Sequence, residues 1–194
     1  MISEWDDYAD GWDNDESAAL YSKEAFNSLS NIVNVENLNL LDFGCGTGLL
    51  TEKLSPVANH IVALDTSSKM LAVLTGKNFP NVTTITEPLS AQLIAENQSL
   101  NNGFDVIVAS SVCGFLSDYE ATLSLLKSVL NPLGTFVQWD WLSQDEKSDF
   151  GLSKERVISA YEKSGLTLVA LTQPFSLSSR NGAMPVLMGV ARNI

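Results

Sequence analysis

The stretch Leu40-Leu41-Asp42-Phe43-Gly44-Cys45-Gly46-Thr47-Gly48-Leu49 constrains this chain more than any other, because an apolar run leads straight into three glycines at alternate positions. It predicts a buried strand, a tight turn and the start of a helix. Glycine has no Cβ, so the backbone can turn sharply off the strand, and a ligand can lie against bare peptide among the unpaired N–H groups of a helix N-terminus. The spacing narrows the ligand. A dinucleotide fold sets its glycines as G-x-G-x-x-G, and Leu49 stands where the third would be. The chain reads Asp42-x-Gly44-x-Gly46-x-Gly48 instead, and a second apolar run, His60-Ile61-Val62-Ala63-Leu64-Asp65, ends in a carboxylate. Asp65 lies about 20 residues past the glycines, where an acid closing the second strand meets ribose hydroxyls.

With these features the chain resembles the class I S-adenosylmethionine-dependent methyltransferases along almost its whole length. Leu40 to Leu50 is similar to that family's first motif, and Val62-Ala63-Leu64-Asp65-Thr66-Ser67-Ser68-Lys69-Met70-Leu71 to its ribose-binding strand and following helix. Thr84-Ile85-Thr86-Glu87-Pro88-Leu89 occupies the place of its adenine loop, Phe104 to Ser110 resembles its fourth strand, and Leu130 to Phe136 resembles the turn into its fifth. The resemblance implies S-adenosylmethionine as cofactor, S-adenosylhomocysteine as product, and a small-molecule methyl acceptor. It implies cofactor contacts from Asp42, Gly44, Cys45, Gly46 and Gly48, from Asp65, Thr66 and Met70, from Glu87, Pro88 and Leu89, and from Ser110. Pro88 has no N–H to offer an adenine ring, so that contact either comes from Leu89 or is absent. Tyr8-Ala9-Asp10-Gly11-Trp12-Asp13 resembles a segment that related enzymes fold over the cofactor, which adds Tyr8 and Trp12 and leads us to expect a mobile lid, loose in the free protein.

The remaining composition fits. At 194 residues the chain is expected to form one domain over 1–194, with 1–34 an N-terminal lid and helix extension. Residues are 45% hydrophobic with no apolar run near the ~18 a membrane helix needs, and Met1-Ile2-Ser3-Glu4 continues into acids rather than a signal peptide, so a cytoplasmic location off the membrane is expected. Twenty-three acids against 11 bases give a net charge of −12, a poor match for a phosphate backbone, and nucleic acid is not expected as a partner. Cys45 and Cys113 have no metal-ligand spacing, and no metal site is expected.

Alternating patterns place strands near 38–43, 60–65, 82–86, 104–110 and 134–142, with helices near 47–55, 67–76, 90–97 and 119–130 between them. This βαβα rhythm means an α/β Rossmann-like three-layer sandwich with a mostly parallel sheet. Ala18, Tyr21, Ala25, Leu29 and Ile32 predict an amphipathic helix ahead of it, and a helix at about 153–164 should end at Gly165. The last two segments, Leu166 to Phe175 and Met184 to Ala191, flank the Asn181-Gly182 step and should pair antiparallel. The resembled family has seven strands in the order 3-2-1-4-5-7-6 with strand 7 antiparallel.

Candidate chemistry is sparse. Asp42 either attracts the cofactor's ammonium group, directly or through water, or is satisfied by nearby backbone. Ser110 to Phe115 lines the acceptor position that the resemblance implies, and Cys113 reads as a small buried hydrophobe rather than a nucleophile. His60 opens the second strand at the end away from the ligand, so it makes a poor base. Asp140, Asp118 and Tyr119 are the base candidates, and Phe115, Trp139 and Trp141 suggest an acceptor of apolar character. A non-catalytic S-adenosylmethionine-binding regulator, or an enzyme using the adenosyl cofactor for another group transfer, stays open as an alternative.

Overall fold

The computed structural model describes residues 4–143, 151–179 and 182–194. Two short 3-10 turns, Glu4–Tyr8 and Trp12–Asn14, precede α1, Glu16–Ser30. Asp15 starts α1 by accepting from the N–H groups of Ser17 and Ala18 at 2.8 and 2.9 Å, which satisfies two donors the first turn leaves free. Tyr21, Ala25 and Leu29 form its buried stripe, whereas Ile32 lies beyond the helix end and is exposed.

Strands and helices then alternate: β1 Asn39–Phe43, α2 Leu49–Leu54, β2 His60–Asp65, α3 Ser68–Gly76, β3 Val82–Thr86, α4 Ala91–Glu96, α5 Gln98–Asn101, β4 Phe104–Ser110, α6 Tyr119–Val129, β5 Leu130–Trp141, α7 Lys154–Ser164, β6 Thr167–Ser179 and β7 Gly182–Arg192. The seven strands form one sheet in the order 3-2-1-4-5-7-6, and β7 runs antiparallel to both β5 and β6. The helix expected over 90–97 is α4 with its caps Ser90 and Asn97, and a further short helix, α5, follows because Asn97 leaves the helical conformation and caps it through Ser99 N–H. β5 starts earlier than expected, since Leu130 pairs with Phe104 before an irregularity re-registers the strands at Val106 and Thr135. α7 ends at Gly165 in the left-handed conformation, as its pattern predicts. Asn181 of the hairpin turn lies outside the described residues, but Ser179 pairs with Gly182 on either side of it.

Parallel strands buried on both faces explain the near-continuous apolar runs. One face packs Leu41, Phe43, Ile107 and Phe136 with Leu123, Val157 and Tyr161 of α6 and α7; the other packs Leu40, Val106, Val137 and Trp139 with Leu29 and Leu54 of α1 and α2. The central strands finish together, Phe43 pairing with both Leu64 and Ala109. The chain runs outward from β1 to β3 on one side and from β4 on the other, so the crevice outside the ends of β1 and β4 is where such a sheet holds ligands.

Candidate cofactor and acceptor site

At that crevice the three glycines divide their work. A Cβ on Gly44 would sit 2.5 Å from Val112 Cγ2 and one on Gly48 would sit 2.3 Å from Leu74 Cδ1, so these two permit close packing. Gly46, with φ +54°, faces open space: a Cβ there would meet nothing within 4 Å, and this is the bare peptide a ligand can lie against. The turn does not, however, present a nest of free donors. Gly44 and Cys45 N–H donate to Leu64 O at 2.8 and 3.2 Å, Gly48 N–H to Cys45 O at 2.9 Å, and Gly46 N–H to Asp65 Oδ2 at 2.8 Å. Sequence reasoning expected those groups to await a ligand; β2 takes three of them.

Asp65 closes β2 half-buried, its Oδ1 accepting from Ser67 N–H at 2.8 Å. The bonds from Gly46 and Ser67 use one lone pair on each oxygen, and a carboxylate of this kind retains acceptor capacity for two hydroxyls. Ser67 caps α3, accepting from Met70 N–H at 3.2 Å. Thr66 is exposed beside Asp65, whereas Met70 is buried. Glu87 and Pro88 are exposed past the end of β3, and Leu89 packs partly against the core. Ser110 ends β4, half-buried.

Asp42 and Cys45 lie deeper than expected. Asp42 is 1% exposed and its Oδ2 accepts from Thr51 Oγ1 at 2.6 Å, the internally satisfied reading rather than an open contact. Burial raises its pKa to about 7, the Thr51 bond working the other way and the Asp65 charge adding to the rise. Cys45 packs with Ala63, Leu71 and Leu74, and burial together with Asp42 and Asp65 pushes its thiol up. Cys113 is fully buried and likewise held protonated.

The N-terminal segment lies against the glycine turn and the Asp65 turn. Buried Asp6 accepts from Ser67 Oγ at 2.6 Å, and Asp13 accepts from Thr47 Oγ1 at 2.5 Å while pairing with Lys77 at 2.8 Å. These bonds tie the segment to both the glycine turn and the Asp65 turn. Trp5, Tyr8 and Trp12 form an aromatic cluster, with Trp5 also meeting Phe115 edge-on at 5.2 Å from the loop after β4. Aromatic rings among carboxylates suit a segment that covers a cation. Neither the role of Asp6 nor that of Asp13 as a fastener was legible in the sequence, because their partners stand 61 and 34 residues away.

Among the base candidates, Asp118 caps α6 at the surface and Tyr119 is buried, its hydroxyl donating to Gln138 Oε1 at 2.5 Å. Asp140 is buried at the end of β5, accepting from Gly114 N–H at 2.9 Å and Gln138 Nε2 at 3.0 Å. Burial raises its pKa to about 7 against the lowering effect of these bonds. Trp139 does not line the acceptor side: it is fully buried on the α1 face, its Nε1 donating to Ser28 Oγ at 2.9 Å. Its position on β5 pairs with Ser110, but its side chain points to the face opposite Gln138 and Asp140. Trp141 is partly buried against Tyr21, and Phe115 is 50% exposed. His60 lies at the far end of the sheet beside Thr83.

A seven-stranded sheet of this order, with a carboxylate-closed glycine turn at its centre, is the class I S-adenosylmethionine-dependent methyltransferase architecture. Residues 41–136 match the family model described as a methyltransferase domain. It is 28% identical over 121 residues to an uncharacterized methyltransferase of Schizosaccharomyces pombe, covering 59% of this chain and 43% of that one. It is 32% identical over 90 residues to malonyl-[acyl-carrier protein] O-methyltransferase of Bacillus cereus, covering 45% of this chain and 31% of that one. The chain therefore spans less than half the length of these curated relatives. In fold it is similar to a SAM-dependent methyltransferase from Aquifex aeolicus, with a TM-score of 0.70, 19% identity, and coverage of 93% of this chain and 95% of that one.

Proposed function

We propose that this chain, acting as one domain, binds S-adenosylmethionine in the crevice beside Gly46 and Asp65 and transfers its methyl group to a small-molecule acceptor. The observation that carries this reading is the Asp65 carboxylate, poised at the end of β2 with spare acceptor capacity next to the open face of Gly46. In this reading Asp65 accepts from the ribose hydroxyls, with Thr66 and Met70 beside it, and Gly46 lets the ligand lie against the turn that Gly44, Cys45 and Gly48 shape. Glu87 and Leu89 flank the adenine with Pro88 between them, and Ser110 faces the methionine end. Asp42 acts on that end through water and through its field rather than by direct contact. Tyr8 and Trp12 cover the ligand.

The bound cofactor supplies a methyl group already activated by its sulfonium, so the chain's task is to position the acceptor and exclude water. The docked N-terminal segment performs the exclusion, and its aromatic faces favour a cation by about 0.5–2 kcal/mol per contact. Calorimetry tests the reading. S-adenosylmethionine and S-adenosylhomocysteine should bind and nicotinamide dinucleotides should not. Asp65→Asn keeps an acceptor for one backbone N–H but loses the charge, and should weaken S-adenosylhomocysteine binding about 10- to 150-fold, the equivalent of about 1.5–3 kcal/mol of charge-assisted bonding. Binding of a nicotinamide dinucleotide in place of the adenosyl ligands, or an unaltered affinity in the variant, would defeat the assignment.

A further inference from the structure

The Asp65 carboxylate is aimed by two turns, and the N-terminal segment holds both of them. Oδ1 of Asp65 accepts from Ser67 N–H and Oδ2 from Gly46 N–H, each at 2.8 Å. Ser67 Oγ in turn donates to Asp6 Oδ1 at 2.6 Å, and Thr47, the residue after Gly46, donates its hydroxyl to Asp13 Oδ1 at 2.5 Å. Each oxygen of Asp65 is thus supported by a residue that either carries, or directly precedes, a hydroxyl captured by the segment. The two captures are separate in sequence and converge on one side chain.

Both captures are also braced from the far side. Ser67 Oγ accepts from Met70 N–H at 3.2 Å, so its proton is directed at Asp6 and a lone pair at α3. Asp6 is buried over the first turn of α3, where Lys69 N–H approaches it at 3.4 Å and the helix dipole favours a negative charge. Asp13 Oδ2 pairs with Lys77 Nζ at 2.8 Å, and Lys77 reaches Glu52 of α2 at 3.2 Å, which ties Asp13 to both helices beside the glycine turn. Ser67 and Thr47 are 0% and 1% exposed, so their hydroxyl bonds form out of water, where losing a partner costs the desolvation of the group left behind. A carboxylate stopped on both oxygens by supports of this kind presents its remaining lone pairs in one direction, and an acceptor fixed in advance spends less of its binding energy on ordering.

We propose that Asp6 and Asp13 are positioning residues for the ribose contact: by holding Ser67 and Thr47 they fix the two turns that aim Asp65, so the N-terminal segment is part of the ribose subsite and not only a cover over the ligand. The proposal rests on the methyltransferase reading above, in which Asp65 accepts from the ribose hydroxyls. Neither Asp6 nor Asp13 touches the ligand in this scheme; each acts through a hydroxyl and then a backbone N–H. The coupling runs both ways, since a ligand that fixes Asp65 also fixes the two turns and thereby tightens the segment's hold on them.

The test is a double-mutant cycle in the full chain, with Asp6→Ala and Asp13→Ala each made alone and together with Asp65→Ala. By calorimetry, S-adenosylhomocysteine should bind about threefold more weakly to each single variant than to the parent, and this loss should disappear when Asp65 is already alanine, because no carboxylate is then left to aim. A segment that only covers the ligand would show the same loss in both backgrounds, and that result overturns the proposal, as does an unchanged affinity in the single variants. Asp13 has a side chain 32% exposed, so its variant decides the matter even if removal of the buried Asp6 carboxylate prevents folding. Amide hydrogen exchange on the protein alone gives a second readout: it should quicken about threefold or more at Ser67 in Asp6→Ala and at Gly46 in Asp13→Ala, while the core amide of Leu41 keeps its parent rate. Unchanged exchange at both turns, or quickening that extends equally to Leu41, means that the two acids do not position Asp65. Failure of the parent to bind S-adenosylhomocysteine sinks the methyltransferase reading instead, and the exchange rates then still decide whether Asp6 and Asp13 hold the turns around Asp65.

Discussion

At the scale of single residues, the site is built from carboxylates put to different uses by their surroundings. Asp65 stays half-exposed and ties two turns together through backbone N–H groups while keeping capacity for a ligand. Asp42, two residues ahead of the first glycine, is sealed beneath the turn with a pKa raised to about 7 from 3.8. The sign of its pH dependence follows. Between those values the folded protein holds a proton that the unfolded chain releases, so Asp42's contribution to stability is full at about pH 4, falls as pH rises towards 7, and is flat above. Asp42→Asn removes a charge that burial penalises and keeps an acceptor for Thr51. Relative to the parent, the variant should gain stability progressively from pH 4 to 7, measured as the difference in Tm at each pH; a difference that is constant across that range would show that Asp42 does not titrate there. A slope from Asp140, which carries the same shift, should remain in both proteins. The glycine turn and Asp65 were legible because their signal is local, a few residues of strand followed by turn. Asp42's burial was not, since it depends on Thr51 of α2, nine residues on, reaching back to it.

At the scale of elements, the alternation of strands and helices carried the architecture, and the departures from it have physical causes. Asn97 ends α4 and caps a further short helix, α5, that the pattern did not show, and the early start of β5 reflects pairing of Leu130 with Phe104, a contact no local pattern announces. The N-terminal segment shows the same limit. Its aromatics were visible in the sequence, but its fastening was not: Asp6 finds Ser67 across 61 residues and Asp13 finds Thr47 across 34. A segment held by two carboxylates and one aromatic cluster can be removed without opening the sheet core, because α1 keeps its own cap, Asp15. Deleting residues 1–13 should therefore leave a cooperatively melting protein whose S-adenosylhomocysteine affinity is about 2- to 30-fold weaker, the equivalent of losing one cation–aromatic contact. In the full chain, hydrogen exchange from Trp5 to Trp12 should slow when that ligand is added. Equal affinity in the deleted protein, with exchange indifferent to ligand, would reduce the segment to packing.

At the scale of the whole molecule, charge sets what the surface can meet. Twenty-three acids face 11 bases, and part of that small basic complement is already engaged, Lys77 by Asp13 and Glu52 and Lys163 by Glu120. Arg156 lies over the Tyr119 ring rather than projecting alone. Non-specific association with DNA or RNA draws its free energy from releasing counterions as basic groups neutralise phosphates, and each missing contact removes a step of that gain. A surface of net charge −12 also repels the polymer before contact. Fluorescence anisotropy with a labelled DNA duplex and with a transfer RNA should therefore detect no binding tighter than about 100 µM at physiological salt, and lowering the salt should not produce the steep recovery that basic nucleic-acid sites show. Salt-dependent binding in the micromolar range would reveal a basic surface that the ion pairs above do not consume, and would turn the search for the acceptor towards nucleic acid.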